Sequence, residues 1–239
     1  MGTDCFENSK QAVGRRFKSC RGHCGGGEVV NALGCSPSIP GFESQPPLIK
    51  TMKKVYLIHG WGGNSRGGWF DWLRKELEER RINVYAFDMP ETNSPKISKW
   101  VSFLETNIKI KEIDDETYFV GHSVGCQAIM RFLEKLPENI KIKGCVFVAG
   151  WLNLKEEASE DEEDREIARL WIETPIDFEK VKNHCDNFLA IFSDNDPYVP
   201  LSDKEIFKEK LNAEISIKNN HEHFNEVEKI EEALKFILK

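Results

Sequence analysis

Serine, aspartate and histidine side chains close three apolar runs in this 239-residue sequence. Ser123 lies in Gly121-His122-Ser123-Val124-Gly125, Asp194 and Asp196 follow the run 187–193, and His221 and His223 follow the run 214–218. A serine hydroxyl is a poor nucleophile until an imidazole accepts its proton. That imidazole in turn needs a carboxylate to hold its tautomer and steady its charge. One residue of each type, each after a different strand-like run, suits acyl chemistry through a covalent serine intermediate. Gly-x-Ser-x-Gly alone is a weak signal. Here the β-rich stretch Thr117-Tyr118-Phe119-Val120 leads into it and an amphipathic helical pattern over 127–136 leaves it. Strand, sharp turn and helix is the context that exposes a serine Oγ. Glycines are expected on either side of Ser123, because side chains there would strike the neighbouring strand and helix.

Two acids and two bases compete for the remaining roles. Asp196 is preferred over Asp194, because Pro197-Tyr198-Val199-Pro200 fixes the loop after it, whereas Asp194 suits a turn cap. His223 is preferred over His221, since it directly precedes Phe224 and Asn225, where a helix is expected to begin. Two backbone amides are expected to hold an oxyanion, those of Val124 and of Trp61 in His59-Gly60-Trp61-Gly62-Gly63. One such donor is worth about 3 kcal/mol in the transition state. His59 reads as a loop-shaping residue bonded to backbone and as a candidate for the substrate pocket; His122 reads as packing beside the turn. Cys126 reads as a small buried residue.

These residues need a scaffold that gathers the ends of separate strands. Strand patterns over 54–58, 83–88, 117–120, 143–150, 187–193 and 214–218 alternate with helical patterns over 69–79, 95–108, 127–136, 201–211 and 225–238. That alternation predicts an α/β fold, a three-layer sandwich with a mostly parallel sheet of about six strands and helices on both faces. Ligands of such sheets bind beyond the strand C-termini, where His59, Ser123, the pair Asp194 and Asp196, and the pair His221 and His223 fall. Between Trp151 and Cys185 the periodicity weakens. This stretch is expected to cover the pocket, with Trp151, Leu154, Leu170, Trp171 and Ile172 as candidate apolar lining. Its acidic residues (among them Glu156, Glu162, Glu163 and Asp164) read as a solvated face.

Composition narrows the class. A net charge of −7 and the absence of a basic, aromatic-interleaved patch exclude a nucleic-acid surface. No run approaches a membrane span and the N-terminus has no apolar signal core, so no membrane partner is expected. The seven cysteines are odd in number and unevenly spread, which favours a reducing cytoplasm over a disulfide framework. Residues 1–51 differ in character, being rich in Gly, Ser, Cys and Pro without sustained apolar periodicity. Cys20, His23, Cys24 and Cys35 offer only one zinc-type pair, so no metal or cofactor is expected. Gly41-Phe42-Glu43-Ser44, Leu33-Gly34 and Pro37-Ser38 admit codons of a tRNA gene read in frame. The expectation is a poorly structured extension over 1–51, a hydrolase domain over 52–239 and a native start at Met52, which mapping the native N-terminus tests.

From residue 52 onward the chain resembles the compact α/β-hydrolase family of retinoblastoma-binding protein 9 and related bacterial serine hydrolases. The resemblance is carried by 69–79, Met89-Pro90, 100–106, the Gly121–Gly125 turn, Phe178-Glu179-Lys180-Val181-Lys182, Ser193-Asp194-Asn195-Asp196-Pro197 and His223-Phe224-Asn225. It implies a shortened α/β-hydrolase sheet and a Ser-Asp-His triad, which falls on Ser123, Asp196 and His223. The chain has no Leu-x-Cys-x-Glu, so no retinoblastoma-type partner is expected. The reading is a serine hydrolase, carboxylesterase-like, cleaving a small-molecule ester, thioester or amide. Its rivals are an acyltransferase using the same acyl-enzyme and an interaction protein that keeps the fold without turnover.

Overall fold

A computed structural model of the protein describes residues 52–159 and 161–239. The readings made for 1–51, including the cysteine–histidine set and the native start, lie outside the described residues. Continuous apolar runs become strands buried on both faces: β1 (Lys54–Ile58), β3 (Thr117–His122), β4 (Gly144–Val148) and β5 (Phe188–Ser193). The two runs carrying polar ends, β2 (Asn83–Phe87) and β6 (Glu214–Lys218), are only partly buried and form the edges. The order is β2-β1-β3-β4-β5-β6, and every pairing is parallel.

Helices cover both faces. On one, α1 (Trp69–Glu79) and α7 (Glu231–Leu238) bury Trp69, Phe70, Leu73, Leu77, Ala233 and Ile237 against the sheet. On the other, α2 (Ile97–Asn107), α3 (Val124–Leu133), α5 (Phe178–His184) and α6 (Asp203–Leu211) contribute Trp100, Leu104, Ile129, Val181 and Phe207 to a second core. Fully burying one such aliphatic side chain is worth about 1.5–3 kcal/mol. The weakly patterned stretch after β4 contains α4 (Glu162–Glu173), whose apolar face is narrow and whose first turn is acidic. Negative side chains there suit the positive end of the helix dipole. No described helix is long and apolar enough to cross a membrane.

One boundary differs from expectation. The helix predicted from residue 225 begins at Glu231. Residues 224–230 instead run as loop, with Val227 packed against the α1 side of the core and the Asn225 carbonyl close to Gly68. Phe224 itself turns at positive φ (59°) directly after His223 and is buried in that core.

The topology fixes where a site can form. From β1 the chain crosses to β2 on one side, and from β3 it crosses to β4 on the other, with α1 and α3 on opposite faces. The loops after β1 and β3 therefore diverge around a crevice at the strand C-termini, the place where open α/β sheets bind ligands.

Candidate active site

Ser123 joins β3 to α3 in a backbone conformation (φ 52°, ψ −126°) that L side chains rarely adopt. The strain is sustained by close packing on both sides. A Cβ on Gly125 would lie 2.4 Å from the Ile58 carbonyl oxygen, and one on Gly121 would lie 2.8 Å from the Cys126 amide nitrogen. No side chain fits at either position. The Ser123 amide bonds to the Val148 carbonyl at 2.9 Å, which fixes the turn against β4.

A continuous chain of hydrogen bonds leads away from this serine. Ser123 Oγ lies 2.9 Å from His223 Nε2, and His223 Nδ1 lies 2.8 Å from Asp196 Oδ2. All three residues are buried. The other carboxylate oxygen, Asp196 Oδ1, accepts from the Tyr198 and Val199 amides at 2.9 and 3.0 Å. Burial pushes the Asp196 carboxyl upward, but the His223 hydrogen bond and charge and these two amides outweigh it and hold it below the ordinary carboxylate value.

Three further bonds stitch the acid loop to the base loop. The amides of Asn220, His221 and Glu222 donate to the side chains of Asp194, Ser193 and Asn195. Asp194 is thus exposed and bound to backbone, and His221 turns its Nδ1 to the Asn219 carbonyl. Neither belongs to the chain of bonds from Ser123.

The two histidines near the turn are neutral and structural in their bonding. His59 Nδ1–H donates to the Gly60 carbonyl and its Nε2 accepts from the Met89 amide. Burial lowers its pKa. His122 Nε2–H donates at 2.8 Å to the backbone carbonyl of His223, so it holds the base in position. Burial, and then the charge of His223, lower the His122 pKa from 6.5 to about 3. The unfolded chain therefore gains a proton below about pH 6.5 that the folded protein refuses, and stability is lost on acidification. Between pH 6.5 and about pH 5 the loss is about 2 kcal/mol. Denaturant titrations of the wild-type protein and His122→Gln across this range check it. The variant is expected to lose about that much less than wild type, and parallel curves would contradict the assignment.

Cys126 is fully buried beside the turn, its Sγ 3.6 Å from the Val148 carbonyl, and burial raises its thiol pKa. A neutral, enclosed thiol is no nucleophile. Among the described residues no group of three or more His, Cys, Asp or Glu side chains is arranged to hold a metal ion.

Ser123, His122 and His223 open into a cavity of about 520 Å³. Its apolar wall comes from Trp61, Trp151, Leu154, Ala168, Ile172 and Tyr198, and its charged rim includes Lys155, Glu156, Asp164 and Arg169. On α4, lining residues recur at Asp164, Ala168 and Ile172, one helical face. Trp171 and Leu170 fall on other faces. Trp171 is buried, its indole bonded to the Pro95 carbonyl and set edge-on to Trp100, and Leu170 is solvent-exposed. Trp171, Leu170 and His59 are therefore not cavity residues, contrary to expectation. As expected for the acidic cluster, Glu156, Glu157, Asp161, Glu162 and Glu163 are exposed, and Glu156 and the half-buried Asp164 also stand at the cavity rim.

The amides of Trp61 and Val124 donate no hydrogen bond among the described residues. They sit at the two loops that bracket the crevice. Sequence reasoning missed the hydrogen bond of Trp151, whose indole Nε1–H points at Ser123 Oγ at 3.2 Å. It also missed the Asp203 carboxylate, which is buried and accepts from the Leu152 and Asn153 amides. In the sequence Asp203 reads only as an acidic residue at the head of a helix.

A family model described as serine hydrolase matches residues 55–232. YdeN of Bacillus subtilis (strain 168) is 28% identical over 176 residues, covering 74% of this chain and 88% of that protein. Its crystal structure superposes with a TM-score of 0.69 at 25% identity, over 79% of this chain and all of that one. Serine hydrolase RBBP9 of Rattus norvegicus is 26% identical over 178 residues, 73% of this chain and 89% of that protein. Est1E from Butyrivibrio proteoclasticus, solved with ferulic acid bound, shares the fold with a TM-score of 0.60 at 16% identity, over 79% of this chain and 91% of that one.

Proposed function

The chain belongs to the serine hydrolase family, and from that premise we propose that it cleaves a small ester, thioester or amide through an acyl-serine intermediate. The observation that carries the reading is the unbroken path Ser123 Oγ–His223 Nε2, His223 Nδ1–Asp196 Oδ2, ending in a cavity of ligand size. Ser123 is the nucleophile. As its Oγ bonds to the acyl carbon, its proton passes to His223 Nε2, and Asp196 stabilises the imidazolium that results. The amides of Trp61 and Val124 hold the oxyanion. His223 then protonates the leaving group. In the second half-reaction it accepts a proton from the attacking water and returns one to Ser123 Oγ as the acyl bond breaks.

The cavity supports a substrate of modest size with a largely apolar acyl group. Its charged lining mixes Lys155, Arg165 and Arg169 with Glu156, Asp164 and Glu173. Opposite signs in similar number favour neither an acidic nor a basic acyl group. p-Nitrophenyl esters graded from acetyl to lauroyl test this. Turnover is expected for the short and medium members, falling steeply once the chain outgrows the wall formed by Trp151, Leu154 and Ile172. A rate that keeps rising to lauroyl would rule out the enclosed acyl site, and no turnover of any member would rule out the carboxylesterase reading.

A further inference from the structure

The nucleophile oxygen has two hydrogen-bond partners, and only one of them is a member of the proposed triad. Its second partner is the indole Nε1–H of Trp151, 3.2 Å away. A serine hydroxyl has one proton and two lone pairs. With the proton directed to His223 and one lone pair occupied by Trp151, the other lone pair is left for a carbonyl in the cavity.

Trp151 is held in this position by buried polar groups. Its carbonyl accepts from Gln127 Nε2 at 3.0 Å, and Gln127 Oε1 accepts in turn from Arg131 Nη2 at 3.1 Å. Gln127 lies on α3, the helix that Ser123 starts, so indole and nucleophile share one rigid support. The next two residues are clamped as well. The Leu152 and Asn153 amides reach Asp203 Oδ2 at 2.6 and 2.8 Å, and Asn153 Nδ2 reaches Oδ1 at 2.8 Å. Gln127 and Asp203 are buried at 0% and 1% exposure. Burying such groups is costly unless their bonds are made. All of this buried polarity converges on the loop that aims one indole at Ser123.

We propose that Trp151 is a catalytic residue whose N–H stabilises negative charge on Ser123 Oγ. The proposal rests on the acyl-serine mechanism. In acylation the Oγ–C bond forms while the Oγ proton moves to His223 Nε2 and the carbonyl electron pair moves to the oxyanion. In deacylation the C–Oγ bond breaks, its electron pair returns to Oγ, and His223 returns the proton. Oγ carries excess charge at both moments, and a donor fixed on it strengthens then. Once Oγ is an ester oxygen the same bond weakens, so the contribution falls on the transition states and not on the acyl-enzyme.

Trp151→Phe keeps an aromatic wall and removes the donor. The rate of fluorophosphonate labelling and the kcat for p-nitrophenyl acetate are both expected to fall about tenfold, with KM changed by less than about twofold. Wild-type labelling and turnover in Trp151→Phe would overturn the proposal. So would a change confined to KM or acyl-length preference, because that is the behaviour of a wall. A second measurement leaves Trp151 in place, in case the variant does not fold. Of the six tryptophan indole N–H resonances, that of Trp151 is expected to move upfield in Ser123→Ala, and an unmoved spectrum overturns the bond itself. Activity surviving in Ser123→Ala would instead bring down the acyl-serine mechanism, so the two failures are distinguishable.

Discussion

Ser123→Ala is expected to lower kcat for an activated ester by on the order of 10⁵–10⁶-fold and to abolish covalent labelling by a fluorophosphonate. The substitution removes the proposed attacking atom and leaves the turn intact. The turn is kept by the bond from the residue 123 amide to the Val148 carbonyl and by the close approach of Gly121 and Gly125 to their neighbours. Alanine leaves two groups without a partner, His223 Nε2 and the Trp151 indole N–H, both facing a cavity that water enters. Circular dichroism and thermal unfolding are therefore expected to stay near wild type while turnover disappears. The residual rate would come from the Trp61 and Val124 amides acting on bound ester. A Ser123→Ala protein that still labels or turns over would remove Ser123 as nucleophile.

Asp196→Asn is expected to cost about 10⁴-fold in kcat, with Asp194→Asn within about threefold of wild type. The reason lies in which oxygen each bond uses. Oδ1 of Asp196 accepts from the Tyr198 and Val199 amides, so an asparagine there must keep its carbonyl oxygen on that side. Its NH₂ then faces His223 Nδ1, where Oδ2 stands in the wild type. A donor opposite Nδ1 forces the imidazole proton onto Nε2, and Nε2 can no longer accept the Ser123 proton. Among the described residues the Asp194 carboxylate bonds only to the exposed Asn220 amide, so losing its charge leaves the site intact. Steady-state kinetics of the two variants on one ester decide the matter. Equal damage, or damage only at Asp194, would reassign the acid.

Much of the scaffold was legible in the sequence because its signals are local. The runs 54–58 and 214–218 coincide with β1 and β6, and the stretch 117–120 lies within β3, which runs on to His122. Continuous apolar runs alternating with amphipathic helices admit few arrangements other than a parallel sheet between helical layers. Boundaries set by tertiary contacts were less legible. Residues 225–230 have helical composition, yet loop backbone wins there because Phe224 must turn back into the core after His223.

The same division runs through the site. By itself the sequence determined which residue types stand at strand ends and in what order, since Gly-x-Ser-x-Gly, Asp-Asn-Asp-Pro and His-Phe-Asn are local patterns with local steric causes. It favoured Asp196 over Asp194 and His223 over His221 from local turn signals but could not aim a side chain. The tertiary structure decided that Asp196 and His223 face each other, through the Ser193, Asp194 and Asn195 side chains that bind the 220–222 backbone. It also decided that Trp171 packs away from the cavity while Trp151 reaches Ser123. Both are tryptophans in one weakly patterned stretch, alike in sequence. What separates them is a set of hydrogen bonds, one donated by Gln127 to the Trp151 carbonyl and others accepted by Asp203 from the next two amides, from residues 24 and about 50 positions away along the chain. Contacts of that separation leave no periodicity to read, because the distance that matters to them is measured across the fold.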